Sequence, residues 1–435
     1  MSPELIGGIA FVVMMVLMFL GLPVGVCMIL VAGVGIALLV GVDSASNALA
    51  LAASYTVMDY NFAVLPIFIL MGDIADISGM MVEAYKALNI WLAKIRGGLA
   101  MASVLGAAAF STVSGSSVAC AAIMTRVALP SLLDHKYDPG LSTGAIAAGG
   151  TLGNLIPPGI VLIIYAIITE VSLGKFFIAC YIPGFLLTFM YLIQIYTQCR
   201  LNPKLGPNLG STTGKEKVQA TKGIIPVVAV LLIMLGGIQF GVFTPNEAAS
   251  VITVAIFIYA VVRKKVNGQN LLGAFKTTLA TTGMCFAILI GANIFTTFAA
   301  ISQLPQALAT WLISLNLSAL GVIILIMFVY LVLGIPMDPL TILLLTLPIF
   351  LPVLIAYKID LLWFGVLAIA QCELANLTPP VGMNLFVVAG MAKPMGIEMG
   401  TVFRGSVPFC ITCAVFIVLL IAFPELSLFL VNQMK

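Results

Sequence analysis

Two short stretches decide how this chain is read: "GNLIPPG" at 153–159 and "ANLTPPVG" at 375–382. Each puts a double proline inside an apolar segment. Proline removes a backbone donor and clashes with the preceding helical turn, so each stretch breaks a helix. The repetition extends outward from them. "NLIPP" (154–158) and "NLTPP" (376–380) lie 222 residues apart, as do "LPSLLDHKYD" (129–138) and "LPVLIAYKID" (351–360). "ILMG" (69–72) answers "ILIG" (288–291) at an offset of 219, and Trp91 answers Trp311 at 220. An offset held that closely marks a duplication.

Composition says what is being broken. The chain has 435 residues, of which 62% are hydrophobic and 8% charged, and its mean hydropathy is +1.21. Soluble domains carry about 25% charged residues, so a water-soluble protein is excluded. Apolar runs of bilayer-crossing character recur throughout, including Ile9–Val40, Ile224–Phe240, Val251–Val262, Leu320–Leu333 and Phe409–Phe423. "GLPVG" at 21–25 divides the first into two helices. The reading is an all-α polytopic membrane protein embedded in the lipid bilayer. Its start, "MSPELIGG", lacks a basic n-region, and no cleavable signal is expected.

The net charge of +3 carries no indication of nucleic acid; the placement of the basic residues matters more. Arg200, Lys204, Lys215, Lys217 and Lys222 cluster in one polar linker, and Arg263, Lys264, Lys265 and Lys276 in another. One helical hairpin separates them, so both lie on the same face. The positive-inside rule makes that face cytoplasmic. The segments expected are 1–59 as N-terminal scaffold helices, 60–199 as a first repeat, 200–276 as linkers and hairpin, and 277–435 as a second repeat with a C-terminal helix.

Each repeat carries a second irregular spot ahead of its prolines. In the first it is "STVSGSSVAC" at 111–120. A continuous helix from Gly98 to Pro130 would be about 45 Å long, too long for a core of about 30 Å. A re-entrant helical hairpin with Ser114, Gly115, Ser116 and Ser117 at its tip fits that interval better. The same offset brings "GIPMDPLT" at 334–341 to the matching place, with Gly334, Met337 and Asp338. Broken backbone at membrane depth is tolerated only against protein or a water-filled site. Paired breaks in two halves point to a transporter's midplane site, where freed carbonyls take a small cation and helix N-termini face an anion. The prolines themselves suit the first turn of the helix that follows each break.

Asp338 is the leading candidate side chain, because an ionisable group inside a span costs at least about 2.5–3.5 kcal/mol and needs a purpose. A helix cap is the plainer alternative. Ser114, Ser116 and Ser117 offer hydroxyls, or else belong to small-residue helix packing. Asn154, Asn376, Thr378 and Gly150 line the breaks. Glu373 is either a second acidic group of the site or the partner of a nearby donor. Asp73 and Asp76 read as a cap or salt-bridge arrangement, Arg126 as snorkelling or meeting an anion, and His135 as a solvated loop residue. Residues 80–98 form an amphipathic interfacial helix with Glu83, Lys86, Lys94, Arg96 and an anchoring Trp91. The eight cysteines are scattered and read as packing residues. No phosphate loop, HExxH motif or Cys/His cluster is present, so an ion gradient or a partner must drive uphill transport. A serine hydrolase reading lacks a histidine placed to activate "SGSS", and the chain is not expected to be an enzyme.

Several motifs in register, "FAVLPIFILMG", "RGGLA" (96–100), "FSTVSGSSVA", "AAGGTLGNLIPP", "YIPGF" and "LTPPVGMNLFVVAG", resemble the large membrane subunit of TRAP (tripartite ATP-independent periplasmic) transporters, from about residue 1 to 425. The resemblance implies an elevator-type fold like that of divergent sodium–dicarboxylate symporters, with two inverted repeats, two hairpins and about eleven spanning helices. It implies cotransport of sodium, with no other cofactor, and an organic acid anion. A soluble periplasmic binding protein delivers that anion, and the location is the bacterial inner membrane. A small four-helix membrane subunit on a separate chain is implied as well, since these 435 residues are too few and too regular to hold it. Carried over, one sodium site takes Ser114, Gly115, Ser117, Gly150, Asn154 and Pro157. The other takes Gly334, Met337, Asp338, Glu373, Asn376, Thr378 and Pro379. The substrate sits among Ser116, Ser117, Asp338, Gly159, Asn154 and Asn376. Gly159 stands where the family's pattern has serine, and Asn154 and Asn376 where it has apolar residues or glycine. A stand-alone ion-coupled symporter or antiporter is the alternative transporter reading.

Overall fold

The computed structural model describes residues 2–208, 210, 213–314, 317–335 and 337–433, and side chains there except those of Asn61, Thr112, Val113, Ser114 and Ile313. Among the described residues there is no strand. The helices run α1 (Pro3–Phe19), α2 (Val24–Val40), α3 (Val42–Met58), α4 (Val64–Ser78), α5 (Met80–Leu92), α6 (Gly98–Ser114), α7 (Ser117–Asp134), α8 (Pro139–Leu155), α9 (Ile160–Ile168) and α10 (Leu173–Leu201). They continue with α11 (Gly214–Gln239), α12 (Pro245–Val262), α13 (Gly268–Ser302), α14 (Leu304–Ser314), α15 (Ala319–Gly334), α16 (Pro339–Ala356), α17 (Leu361–Leu377), α18 (Met383–Ala392), α19 (Met399–Ala422) and α20 (Glu425–Asn432).

Eight helical segments among the described residues are long and apolar enough to cross a bilayer, nine if the pair α4 and α5, bent by 61°, counts as one. Five shorter apolar helices accompany them. The chain is therefore polytopic and all-helical. The helices expected between the two basic linkers are α11 and α12. Each opens on a capping box, Thr213 with Glu216 and Thr244 with Glu247, which satisfies donors at the helix start.

Two compact units form. The first comprises residues 1–66, 276–329 and 340–361. Inside it, α2 and α13 approach at backbone distance through glycines. A Cβ on Gly25 would lie 2.7 Å from the Ala287 carbonyl oxygen, and one on Gly291 would lie 2.8 Å from that of Gly25. Further along, Gly35 leaves room for the Phe298 ring. Small residues allow such contact where no hydrophobic force separates helix from lipid. Asn293 Nδ2 donates to Thr56 Oγ1 at 2.7 Å.

The second unit comprises residues 67–275, 330–339 and 362–435. Helix α8 is its axis, with every residue from Gly140 to Leu155 buried. It packs on α6, α7 and α19. Gly140 and Gly144 face Gly405 with no room for side chains between them. Around the outside, Glu83 of α5 pairs with Arg263 at the end of α12, Trp91 Nε1 donates to Thr221 Oγ1 at 3.2 Å, and Lys217 lies 5.4 Å above the Trp91 ring. These contacts bind the amphipathic α5 to α11 and α12.

The interval 98–134 is two packed helices, α6 and α7, joined at Gly115-Ser116. Gly115 adopts φ +61°, the left-handed turn that ends α6. The double prolines correct one expectation. They do not occupy the first turn of the following helix. Pro157-Pro158 precede α9, which is capped by Gly159, and Pro379-Pro380 precede α18, which is capped by Gly382. Both Pro-Pro bonds are cis. The second break carries one extra residue, Val381.

Candidate functional site

The first break and the first hairpin tip are one structure. The Ile160 N–H donates to the Gly115 carbonyl at 3.1 Å, so the tip terminates α9 as an extra backbone partner. A Cβ on Gly115 would lie 2.6 Å from the Pro158 carbonyl oxygen. Behind the tip, the start of α7 lies on α8. A Cβ on Gly153 would come within 2.8 Å of the Ser117 N and Cα, and one on Gly150 within 3.1 Å of the Ser117 carbonyl oxygen. Ser116 caps α7, its Oγ accepting from the Ala119 N–H. Of the first set expected from sequence, Gly115, Ser117, Gly150 and Asn154 are thus gathered around one tip, with Pro157 buried in the break between them. The Ser114 side chain lies outside the described residues.

Asn154 connects this set to the second half. Its Nδ2 donates to Ser117 Oγ at 3.1 Å and to Glu373 Oε1 at 2.6 Å. Asn154 is 4% exposed and Glu373 1%. Glu373 is therefore, at least, the partner of a nearby donor. That donor lies 219 positions away in the sequence. No described cation pairs with this carboxylate. Ser117 and Asn376 also lie within hydrogen-bonding reach of the carboxylate.

In the second set, Gly334 and Met337 are buried and Asp338 is half-buried. Asp338 lies within electrostatic reach of Glu373 and Cys372, placing the tip region of the second half near the same carboxylate. Pro336 lies outside the described residues. Thr378 Oγ1 donates back to the Leu374 carbonyl at 2.6 Å, and Cys410 Sγ lies 2.9 Å from the Leu377 carbonyl oxygen. Asn376 is fully buried, within hydrogen-bonding reach of the Glu373 carboxylate. The first break is buried throughout, whereas Thr378, Pro379 and Pro380 are partly or fully exposed.

The structure also gives Gly159 a reason. A Cβ there would lie 2.9 Å from the Asn154 carbonyl oxygen, and one on Gly382 would lie 2.5 Å from that of Asn376. In both breaks the asparagine carbonyl folds over the glycine that caps the next helix.

Sequence reading missed Asn384. It sits in the first turn of α18, fully buried, with both amide atoms unpaired. Its Nδ2 lies 3.2 Å from the point where a Cβ on Gly150 would stand. A buried-helix asparagine in "PPVGMNLF", just past a break, was the available signal. Arg126, left between snorkelling and an anion, lies within electrostatic reach of Asp76. His135 ends α7, with Nδ1 2.7 Å from the Ser131 carbonyl. All eight cysteines are free, and only Cys410 is not fully buried.

Comparison with known proteins places this arrangement. Residues 11–426 match the family model "Tripartite ATP-independent periplasmic transporter, DctM component". The C4-dicarboxylate TRAP transporter large permease DctM of Pseudomonas aeruginosa is 33% identical over 378 residues, 86% of each chain. The sialic acid TRAP transporter large permease SiaM of Vibrio cholerae is 31% identical over 417 residues, covering 95% of this chain and 96% of that one. Among solved structures, the Alcanivorax borkumensis YdaH transporter shares the fold, with a TM-score of 0.64 at 16% identity, covering 88% of this chain and 89% of that one. A family matched from one end of the chain to the other, and relatives matched over most of their own length, leave one assignment: this chain belongs to the DctM component family of TRAP transporters, membrane permeases rather than enzymes.

Proposed function

We propose that this chain is the permease through which an organic acid anion enters the cell by sodium cotransport, delivered by a periplasmic binding protein. The carrying observation is the convergence of both broken segments on one buried polar cluster. The Gly115 tip bonds to the first break, and Asn154 beside it bonds to Glu373 ahead of the second. Ion-coupled transporters need broken helices of this kind, since only there are backbone carbonyls free at membrane depth.

On this reading one sodium ion is held at the first tip and break, by Ser114, Gly115, Ser117, Gly150, Asn154 and Pro157. A second is held at the second, by Gly334, Met337, Asp338, Glu373, Asn376, Thr378 and Pro379. The substrate's carboxylate lies between them, near Ser116, Ser117, Asp338, Gly159, Asn154 and Asn376. The relatives named for C4-dicarboxylates, sialic acid and 2,3-diketo-L-gulonate take carboxylates. A dicarboxylate or sugar acid is the class assigned here too. The halves 60–199 and 277–435 act as inverted repeats, and the unit bearing the breaks moves as an elevator in the inner membrane. A small membrane subunit on a separate chain completes the permease.

The requirement for partners separates this reading from a stand-alone symporter. Proteoliposomes holding the permease and its small subunit are tested for uptake of candidate acids with and without the cognate binding protein. Uptake appearing only with the binding protein is expected. Equal uptake in its absence favours the stand-alone alternative and overturns the tripartite assignment.

A further inference from the structure

A groove between α1 and α14 lies within the first compact unit and takes no part in the sites above. Its volume is about 470 Å³, and its polar lining comes from Glu4 on α1 and from Gln303, Gln306, Thr310, Trp311 and Ser314 on α14 and the turn before it. Pockets of roughly 300–1,000 Å³ hold small ligands.

The course of the chain places this groove at the membrane surface. Helix α13 leaves the second basic linker at Gly268 and runs for 35 residues to Ser302. At about 50 Å it is longer than a hydrocarbon core of about 30 Å, so it crosses once. Helix α14 therefore begins at the face opposite the basic linkers, the periplasmic one. Gly7 seats α1 against that corner, since a Cβ there would lie 2.8 Å from Ser302 Oγ. Helix α14 buries Pro305 and Leu312 and exposes Gln306, Thr310 and Trp311, the two-sided character of a helix lying in the interface.

The groove holds a negative charge that the chain does not answer. No basic side chain occurs before Lys86 or between Lys276 and Lys358, the stretches that supply α1 and α14. Glu4 is held by the Ser2 hydroxyl and by backbone, and no described cation pairs with it. Trp91, 220 positions before Trp311, shows what a complete arrangement looks like. Lys217 lies 5.4 Å above its ring, and its Nε1 donates to Thr221 Oγ1 at 3.2 Å. Among the described residues Trp311, 55% exposed, has neither a cation over its ring nor an acceptor for its indole N–H.

We propose that this groove binds the headgroup of a zwitterionic phospholipid through a primary ammonium, as in phosphatidylethanolamine. The ammonium takes the place over Trp311 that Lys217 takes over Trp91, with Glu4 as its counter-charge. Three N–H donors on one nitrogen match the carboxylate and the amide oxygens of Gln303 and Gln306. The Trp311 indole N–H and the glutamine amide N–H groups are donors for the adjoining phosphate. A choline headgroup has no N–H to give, and an anionic headgroup meets Glu4 with no cation to receive it. Beside Glu4 begins an apolar stripe of Leu5, Ile9, Val12 and Val16, each 45–60% exposed and spaced along one side of α1. Acyl chains lie along that stripe; a free amine makes no use of it.

The test is lipid binding by the permease purified with its small subunit, stripped of lipid in detergent. It is titrated with phosphatidylethanolamine, phosphatidylcholine or phosphatidylglycerol while native mass spectrometry counts the lipids bound. The unaltered complex should bind phosphatidylethanolamine at least about fivefold more tightly than the other two, the worth of one partly exposed charge pair. Glu4→Gln and Trp311→Leu should each remove that preference. Glu4→Lys should turn it toward phosphatidylglycerol, a reversal that misfolding does not produce. Equal binding of the three lipids by the unaltered complex, or an unchanged preference in the variants, overturns the site. Free ethanolamine competing as strongly as the lipid overturns the assignment to a phospholipid.

Discussion

The Asn154 side chain donates to Glu373 across 2.6 Å in a buried setting. Two residues 219 positions apart thereby make one polar unit. Asn154→Leu is expected to destabilise by about 1–3 kcal/mol, because it removes a short hydrogen bond from a buried carboxylate. Adding Glu373→Leu should recover part of that loss, since replacing both partners removes the orphan. Denaturation of the two single variants and the double variant measures this directly. Additive losses would mean the two side chains do not depend on each other.

Glycine at 159 is a steric requirement, on the distances found. Gly159→Ser and Gly159→Ala place a Cβ 2.9 Å from the Asn154 carbonyl oxygen. Both should cost a similar amount, about 1–3 kcal/mol, as overpacked sites do. Melting temperatures decide it. A serine variant as stable as the unaltered protein, beside a destabilised alanine variant, would show that the hydroxyl matters and the volume does not.

Gly115→Ala tests the hairpin tip. The residue has φ +61°, and its Cβ would meet the Pro158 carbonyl oxygen at 2.6 Å. Strain in the left-handed region adds to the clash, each contributing about 1–2 kcal/mol. Transport should be abolished while the protein still reaches the membrane. Full transport by this variant would remove the tip from the account.

The Glu83–Arg263 pair offers a contrast. Both side chains are partly exposed, so the pair should contribute little, and less in high salt. Glu83→Gln is expected to leave transport unchanged and to shift melting slightly at low ionic strength. A large, salt-insensitive loss would show that this strap on α5 bears on the whole fold.

Asp338→Asn is expected to abolish uptake with normal expression, whereas a residue that serves only as a helix cap tolerates asparagine, itself a good cap. Uptake rates in matched proteoliposomes distinguish the two, and full activity would reduce Asp338 to a cap.

Much of this was legible beforehand, for identifiable reasons. The double prolines and their echo follow from local backbone rules, so "NLIPP" and "NLTPP" announced the breaks without any knowledge of packing. Where the helices restart was misjudged, because glycine caps at Gly159 and Gly382 take the position expected for the prolines. The Asn154–Glu373 bond was not readable, since nothing local links residues so far apart in sequence. Asn384 was not legible because its place depends on the return of α18 onto α7 and α8, which no local pattern encodes. Gly159 stands where the family's pattern has serine, and the Asn154 carbonyl that passes over it, which no local rule announces, leaves little room for a Cβ.

The central claim is that sodium drives an organic acid through these paired breaks. Its most direct test is uptake of the cognate acid into proteoliposomes with all partner proteins present, under an imposed sodium gradient or an imposed proton gradient alone. Accumulation is expected only with inward-directed sodium. Equal accumulation with sodium absent from both sides would contradict it.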